Sequence, residues 1–120
     1  MSTFTRSVTP LLSISIMNAN ISAGIAHAVY FKLKISPTST EAAAFFQAAK
    51  ELAAIEGVRD LKILKQISAQ NNFDFGISMH FDSTQDYNAY NDNLQHLAFV
   101  NDYWMKYVED FIEIDSTQII

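Results

Sequence analysis

Residues 73–82 are FDFGISMHFD, and this stretch decides the fold more clearly than any other. Large apolar residues occupy every second position, and Asp, Gly, Ser and His lie between them. A period of two predicts a β-strand with one buried face. Residues 25–35, IAHAVYFKLKI, alternate in the same way and predict another strand, which ends before Pro37.

Helix-start patterns follow both of these strands. Residues 38–41, TSTE, predict a capping box with Thr38 as the N-cap, and a helix that runs toward Gly57 as its C-cap residue. Residues 83–86, STQD, predict a second helix start, with a short helix to about Asp92 and a further helical stretch over residues 96–107. A less regular strand is expected within residues 58–69, and residues 108–116 predict the last strand.

The predicted order of elements is therefore β-α-β-β-α-β. This order indicates an α+β, ferredoxin-like fold, with helices on one face of an antiparallel sheet. The opposite face would carry Ala28, Tyr30, Ser78 and His80, which is too apolar a set to be left fully exposed to water. A second copy of the chain is the simplest cover, so we expect a homodimer.

The composition narrows the function classes. The chain has 120 residues, of which 49% are hydrophobic, and its net charge is −5. It contains no cysteine, which excludes disulfides, thiolate metal sites and cysteine nucleophiles. The acidic balance argues against nucleic acid as a partner, and no apolar run approaches the ~18 residues of a membrane span. Three glycines leave little room for a phosphate-binding loop, and no cofactor is predicted.

Residues 1–24 differ from the rest of the chain. Arg6 is their single charged residue, and Ser, Thr and Asn are frequent. We interpret them as an N-terminal extension to a domain of residues 25–120. The alternation in residues 12–16, LSISI, predicts an extra strand or an arm across a dimer. A signal peptide is the alternative, but Pro10 interrupts its apolar stretch, so a cytoplasmic location is expected over a secreted or periplasmic one.

Several segments of the body resemble the stress-responsive A/B barrel domain family. Residues 27–34, HAVYFKLK, are similar to the opening strand of that family, and residues 55–61, IEGVRDL, to its helix-to-strand turn. Tyr90 with residues 96–100, HLAFV, resembles the family segment Y-x-x-H-P-x-H-x-x-[FY]-V. Asn93 and Leu94 stand where the family often has His-Pro, so one histidine of that segment is absent here.

The resemblance implies a dimeric α/β barrel whose two sheets face each other with the helices outside. Some members cyclise polyketides with a tyrosine and a histidine from this segment, which would be Tyr90 and His96 here. Others in the wider superfamily are cofactor-free monooxygenases or small-molecule binders. An imidazole is well suited to proton transfer near neutral pH, so Tyr90 and His96 are the candidate acid–base pair.

A pocket between sheet and helices would surround this pair. Strand parity and helical spacing direct apolar and polar side chains to it, and the predicted ligand-binding residues are His27, Val29, Phe31, Phe46, Ile77 and Phe99. The resemblance implies Asn93 as a further one, because it stands at the position of the family's first histidine. The three histidines show no metal-ligand spacing, and His27 and His80 point to opposite sheet faces, so no metal site is predicted.

Two functions remain open from the sequence. The first is a homodimeric protein that binds a small apolar ligand, with acid–base chemistry on a carbonyl or polyketide-like compound as one version of it. The alternative is a structural or stress-associated dimer without catalysis. The first requires a pocket bearing His27, Tyr90 and His96, whereas the second requires a filled core in which these side chains contact only protein.

Overall fold

The computed structural model describes residues 24–120, which form a four-stranded antiparallel sheet with helices packed on one face. The strands are β1 (Ile25–Leu33), β2 (Arg59–Lys65), β3 (Phe75–Phe81) and β4 (Val108–Ser116), in the spatial order β2-β3-β1-β4. This arrangement confirms the ferredoxin-like prediction. The predicted strand in residues 12–16 and the alternative signal peptide lie outside the described residues.

The helices occupy the two crossovers. Helix α1 (Thr40–Glu51) and a 3₁₀ turn (Leu52–Ala54) connect β1 to β2. Between β3 and β4 lie α2 (Thr84–Asp92), α3 (Leu94–Phe99), a π-helical turn (Val100–Trp104) and the short α4 (Met105–Tyr107). The described residues include no helix that is both long and apolar enough to cross a membrane.

The helix ends confirm one predicted cap and correct another. The Ser83 hydroxyl accepts a hydrogen bond from the Asp86 N–H at 3.0 Å, as the second capping pattern predicts. At α1, however, the N-cap is Ser39 and not Thr38: the Ser39 hydroxyl accepts from the Ala42 N–H at 3.1 Å. The Thr38 hydroxyl instead hydrogen-bonds with that of Ser36 in the preceding turn.

The end of α1 also differs from the prediction. Helix α1 ends at Glu51, so Gly57 is not its C-cap residue. Gly57 does adopt the left-handed conformation, with φ of 91°, in the turn between the 3₁₀ segment and β2. Its absent Cβ suits this backbone, since other residues are strained there.

The helix-covered face of the sheet is built from alternate residues of β1, β3 and β4. Phe31, Ile77, Met79 and Phe81 are at most 2% exposed, and Phe45 of α1 packs on Phe31 with ring centroids 5.5 Å apart. Burial of these rings and aliphatic chains supplies most of the driving force for folding. One end of this buried face carries polar side chains, and the candidate site lies there.

The opposite sheet face has no helix on it within residues 24–120. Ile112 and Ile114 of β4 are 39% and 50% exposed there. Tyr30 lies opposite Gly76 in the register, and a Cβ on Gly76 would come within 2.6 Å of the Tyr30 ring. Glycine therefore lets the tyrosine ring lie flat on the sheet. The face combines apolar side chains with the small residues Ala28 and Ser78.

Candidate functional site

His27 is a buried histidine at the end of β1 that contacts two carboxylates of β4. It lies directly opposite Asp115 in the strand register, and its Nδ1 is 2.6 Å from Asp115 Oδ1. Glu113 precedes Asp115 by two residues, so its side chain emerges on the same sheet face. The distance from His27 Nδ1 to Glu113 Oε2 is 3.4 Å. All three side chains are about nine-tenths buried.

The hydroxyl of Tyr87, a residue of α2, contacts all three of these side chains. Its O–H lies 2.7 Å from Asp115 Oδ2, 3.1 Å from Glu113 Oε2 and 3.3 Å from His27 Nδ1. The ring of Tyr87 packs against the imidazole with centroids 5.2 Å apart. The hydroxyl therefore orients both carboxylates toward His27.

Tyr90 and His96, the predicted acid–base pair, are in direct contact. Their ring centroids are 4.3 Å apart and the planes are inclined by 40°. The His27 ring lies 6.3 Å from that of Tyr90. The structure thus places the rings of His27, Tyr90 and His96 close to one another.

The break between α2 and α3 sets the orientation of His96. The side-chain oxygen of Asn93 caps α3 by accepting from the N–H groups of Gln95 and His96, at 2.8 and 3.3 Å. His96 Nδ1 lies 3.3 Å from the carbonyl oxygen of Asn91. Because a carbonyl only accepts, Nδ1 carries the proton and Nε2 carries the free lone pair.

Burial shifts the pKa values of both rings in the directions that favour their neutral forms. Burial lowers the pKa of His96, an effect that the hydrogen bond to Asn91 partly opposes and the nearby His27 reinforces. Its imidazole is therefore neutral at pH 7. Burial raises the pKa of Tyr90, and the negative charge of Glu113 raises it further, so the phenol keeps its proton.

The Tyr90 hydroxyl is available as a donor. Although the residue is only 2% exposed, its hydroxyl makes no hydrogen bond to any other residue of the described chain. Within the same residues, every fully buried side-chain nitrogen or oxygen has a partner. The hydroxyl of Tyr90 is therefore not sealed from its surroundings, and a bound molecule could accept from it.

The other predicted pocket residues divide into two groups. His27 belongs with the polar cluster, whereas Phe31, Phe46 and Phe99 contact Phe45, which fills the space between them at centroid distances of 5.5, 5.5 and 5.6 Å. Val29 and Ile77 are paired across β1 and β3 on the helix-covered face, as strand parity predicts. Asn93 is occupied as the cap of α3. His80 is exposed on the opposite face, away from the cluster.

Sequence reasoning missed Tyr87, Glu113 and Asp115. A signal for the two carboxylates was present, because residues 111, 113 and 115 of β4 alternate with Ile112 and Ile114. If the isoleucines lie on the sheet face that has no helix on it (the bare face), Glu113 and Asp115 must lie on the helix-covered face. Tyr87 lies three residues before Tyr90, on the same side of α2.

Comparison with known proteins agrees with this architecture. The model of the stress-responsive A/B barrel domain family matches residues 25–118, so the chain belongs to that family. A family protein with a ferredoxin-like fold from Mesorhizobium loti is 42% identical, with a TM-score of 0.78, and the match covers 81% of this chain and 98% of that one. No curated protein is similar enough in sequence to match.

More distant structures share the fold alone. A dimeric ferredoxin-like protein of unknown function from Thermobifida fusca is 22% identical with a TM-score of 0.67, covering 79% of this chain and 91% of that one. A hydroxynitrile lyase from Passiflora edulis is 12% identical with a TM-score of 0.71, covering 81% of this chain and 94% of that one.

Proposed function

We propose that this protein is a homodimeric α/β barrel that binds a small apolar carbonyl compound at Tyr90 and His96, which act on it as an acid–base pair. The observation that carries the proposal is the Tyr90 hydroxyl, which makes no hydrogen bond to another described residue, on a ring packed against an imidazole that burial keeps neutral. Residues 25–120 form the barrel domain, and residues 1–24 are an extension to it.

The chemistry follows from the two protonation states. The Tyr90 O–H donates a hydrogen bond to the carbonyl oxygen of the ligand, which polarises the C=O bond. His96 Nε2 accepts a proton from the carbon next to that carbonyl, so a C–H bond breaks and an N–H bond forms. The electron pair passes to the carbonyl oxygen as an enolate, which the same Tyr90 hydroxyl stabilises.

Aromatic and apolar side chains determine the kind of ligand. Phe81 packs on Tyr90 with centroids 5.1 Å apart, and the surrounding core is aliphatic and aromatic. Such walls favour an apolar ligand with one or two carbonyl oxygens over a sugar or a phosphate. Asn93 stands where the family segment often has its first histidine, and its amide cannot exchange protons as an imidazole would. Proton transfer in this segment therefore depends on His96.

The dimer follows from the bare sheet face. Ile112, Ile114 and Tyr30 leave an apolar surface there, and the similar proteins from Thermobifida fusca and Bacteroides fragilis are dimeric. Two such faces packed together would close a barrel with the helices outside. A stable interface of this kind buries about 1,500 Å² in total.

A second candidate function is a structural dimer without catalysis. It is favoured by the contacts of the imidazoles, since His27 binds Asp115 and His96 binds the Asn91 carbonyl. Phe45, Phe99 and Trp104 also fill the core beside the site. In this hypothesis the cluster stabilises the fold and no ligand enters it.

Ligand binding distinguishes the two candidates. The isotopically labelled full chain is titrated with a panel of aryl ketones and 1,3-dicarbonyl compounds, and chemical shifts of the histidine and tyrosine rings are followed. We expect shifts at Tyr90 and His96 for at least one compound, and at least about tenfold weaker binding in Tyr90→Phe, because a donor to the ligand is lost.

The exposed Glu41, in the first turn of α1, provides the control. Glu41→Gln should bind the same compound as the unchanged chain does. Shifts confined to other residues, or unchanged affinity in both Tyr90→Phe and His96→Gln, would refute the binding proposal and favour the structural dimer.

A further inference from the structure

We propose that His27, Glu113 and Asp115 form a binding site for a divalent first-row transition-metal ion. The three residues offer one imidazole nitrogen and two carboxylate oxygens, all within 4.8 Å of one another. No metal site is predicted from the sequence, because the histidines show no metal-ligand spacing along the chain. The strand register instead pairs one histidine with two carboxylates.

The placement of these ligands is determined by backbone pairing. Asp115 is the register partner of His27, and Glu113 is the partner of Val29, two residues along the same face. Neighbouring strands are about 4.8 Å apart, so side chains from paired positions can reach a common ion. The site therefore lies on the sheet itself, and not on loops.

The separations are compatible with coordination after small side-chain rotations. Nitrogen and oxygen ligands lie about 2.0–2.2 Å from such an ion, so two of them can be at most about 4.4 Å apart. His27 Nδ1 is 2.6 Å from Asp115 Oδ1 and 3.4 Å from Glu113 Oε2. The first pair must move apart by a few tenths of an ångström to admit the ion.

The burial and charge of the cluster favour a cation. His27 is 8% exposed, and the side chains of both carboxylates are buried to a similar degree. Two carboxylates held this close inside a protein repel each other, and a divalent ion bound between them reduces that repulsion.

The ligand types indicate which ions bind. An imidazole among the ligands favours Zn²⁺, Co²⁺, Fe²⁺ or Mn²⁺ over Mg²⁺ and Ca²⁺, which prefer oxygen alone. The hydroxyl of Tyr87, 2.7 Å from Asp115 Oδ2, would hold that carboxylate in orientation. Binding at Nδ1 displaces its proton, so the ion should bind more weakly as the pH falls.

The test uses the full chain, produced without a histidine tag and treated with a chelator. Co²⁺ is added and visible absorption is recorded, and Zn²⁺ binding is measured by calorimetry in two buffers of different ionisation enthalpy. We expect one ion per chain, visible bands typical of mixed nitrogen and oxygen ligands, and proton release on binding.

Matched variants separate this site from adventitious binding. His27→Gln, Glu113→Gln and Asp115→Asn should each weaken Zn²⁺ binding by about 100-fold or more, since each removes a ligand. Glu41→Gln and Asp102→Asn alter exposed residues outside both the cluster and the sheet and should bind as the unchanged chain does.

The unchanged chain gives a result even if a ligand variant fails to fold. If the folded, unchanged chain shows neither visible absorption bands of bound Co²⁺ nor a heat of Zn²⁺ binding, the proposal is overturned. So would unchanged affinity in folded Glu113→Gln and Asp115→Asn. These readouts need no carbonyl ligand, so the metal proposal and the proposed function can fail separately.

Discussion

The imidazole of His96 packs on the ring of Tyr90, with centroids 4.3 Å apart, although the two residues belong to different helices. The contact depends on the break between α2 and α3 at Asn93. Asn93 caps α3, and the first turn of α3, which contains His96, lies back against α2. The consequence is a neutral base and a protonated phenol side by side at the polar end of the core.

The pH dependence of stability should report the burial of His96. Its pKa is lowered in the folded chain, so the unfolded chain binds a proton more readily. The contribution of neutral His96 is complete above its unfolded pKa of about 6.5 and is lost as the pH falls below that value. We expect the stability difference between the unchanged chain and His96→Gln to be constant from pH 8 to about 6.5 and to shrink on further acidification.

Unfolding by urea at several pH values measures this difference. His27 and the Asn91 carbonyl face His96, and both are retained in the variant, so the comparison reports the loss of the His96 imidazole. A difference that grows on acidification would mean that the folded chain stabilises the charged imidazole.

Two tyrosines of α2 should respond differently to loss of their hydroxyls. Tyr87 and Tyr90 are 3% and 2% exposed, but only the Tyr87 hydroxyl contacts carboxylates. We expect Tyr87→Phe to lower the free energy of unfolding by about 1.5–3 kcal/mol, because it removes a hydrogen bond to a charged group. Tyr90→Phe should cost less than about 0.5 kcal/mol, since no bond within the described chain is lost. Equal costs in thermal or urea unfolding would contradict the assignment of the Tyr90 hydroxyl to a ligand.

The bare sheet face should hold two chains together. Light scattering after gel filtration is expected to give twice the 13.5 kDa of one chain. Ile114→Lys places a charge in the proposed interface, where burying it is costly, and should produce monomers. Leu97→Lys alters an apolar side chain of α3 that is 46% exposed, and should leave the dimer intact. A monomer of the unchanged chain at micromolar concentration would refute the interface.

The cap of α1 provides a test of the local structure. Ser39→Ala removes the acceptor of the Ala42 N–H and should destabilise the chain by about 1 kcal/mol. Thr38→Ala should have a much smaller effect, because Thr38 contacts only Ser36 by its hydroxyl. The two variants are compared by urea unfolding, and the reverse order would support Thr38 as the cap.

The sequence predicted the fold because alternation and capping patterns are local. Strands β1 and β3 alternate cleanly, and the Ser83 cap follows β3 directly. The Thr38 prediction failed because TSTE offers two adjacent residues that can both cap, and the choice depends on the turn made by Ser36.

Only part of the candidate site is predictable from the sequence. Tyr90 and His96 are predicted from the resemblance of one segment of the chain to the family. His27, Glu113 and Asp115 meet only through pairing of the first and last strands, 88 residues apart for His27 and Asp115. The alternation in β4 indicates which sheet face Glu113 and Asp115 occupy, but no spacing in the sequence indicates that they, among the 13 acidic residues, lie beside His27.

Hydrogen–deuterium exchange into a carbonyl compound tests the acid–base proposal most directly. The compound from the binding panel with the highest affinity is incubated in D₂O with the full chain, and loss of the proton signal next to its carbonyl is followed by NMR. We predict exchange faster than in buffer, reduced by about 100-fold or more in His96→Gln and unchanged in Glu41→Gln. Exchange at the buffer rate with bound compound, or equal exchange in His96→Gln, would contradict proton transfer by this pair.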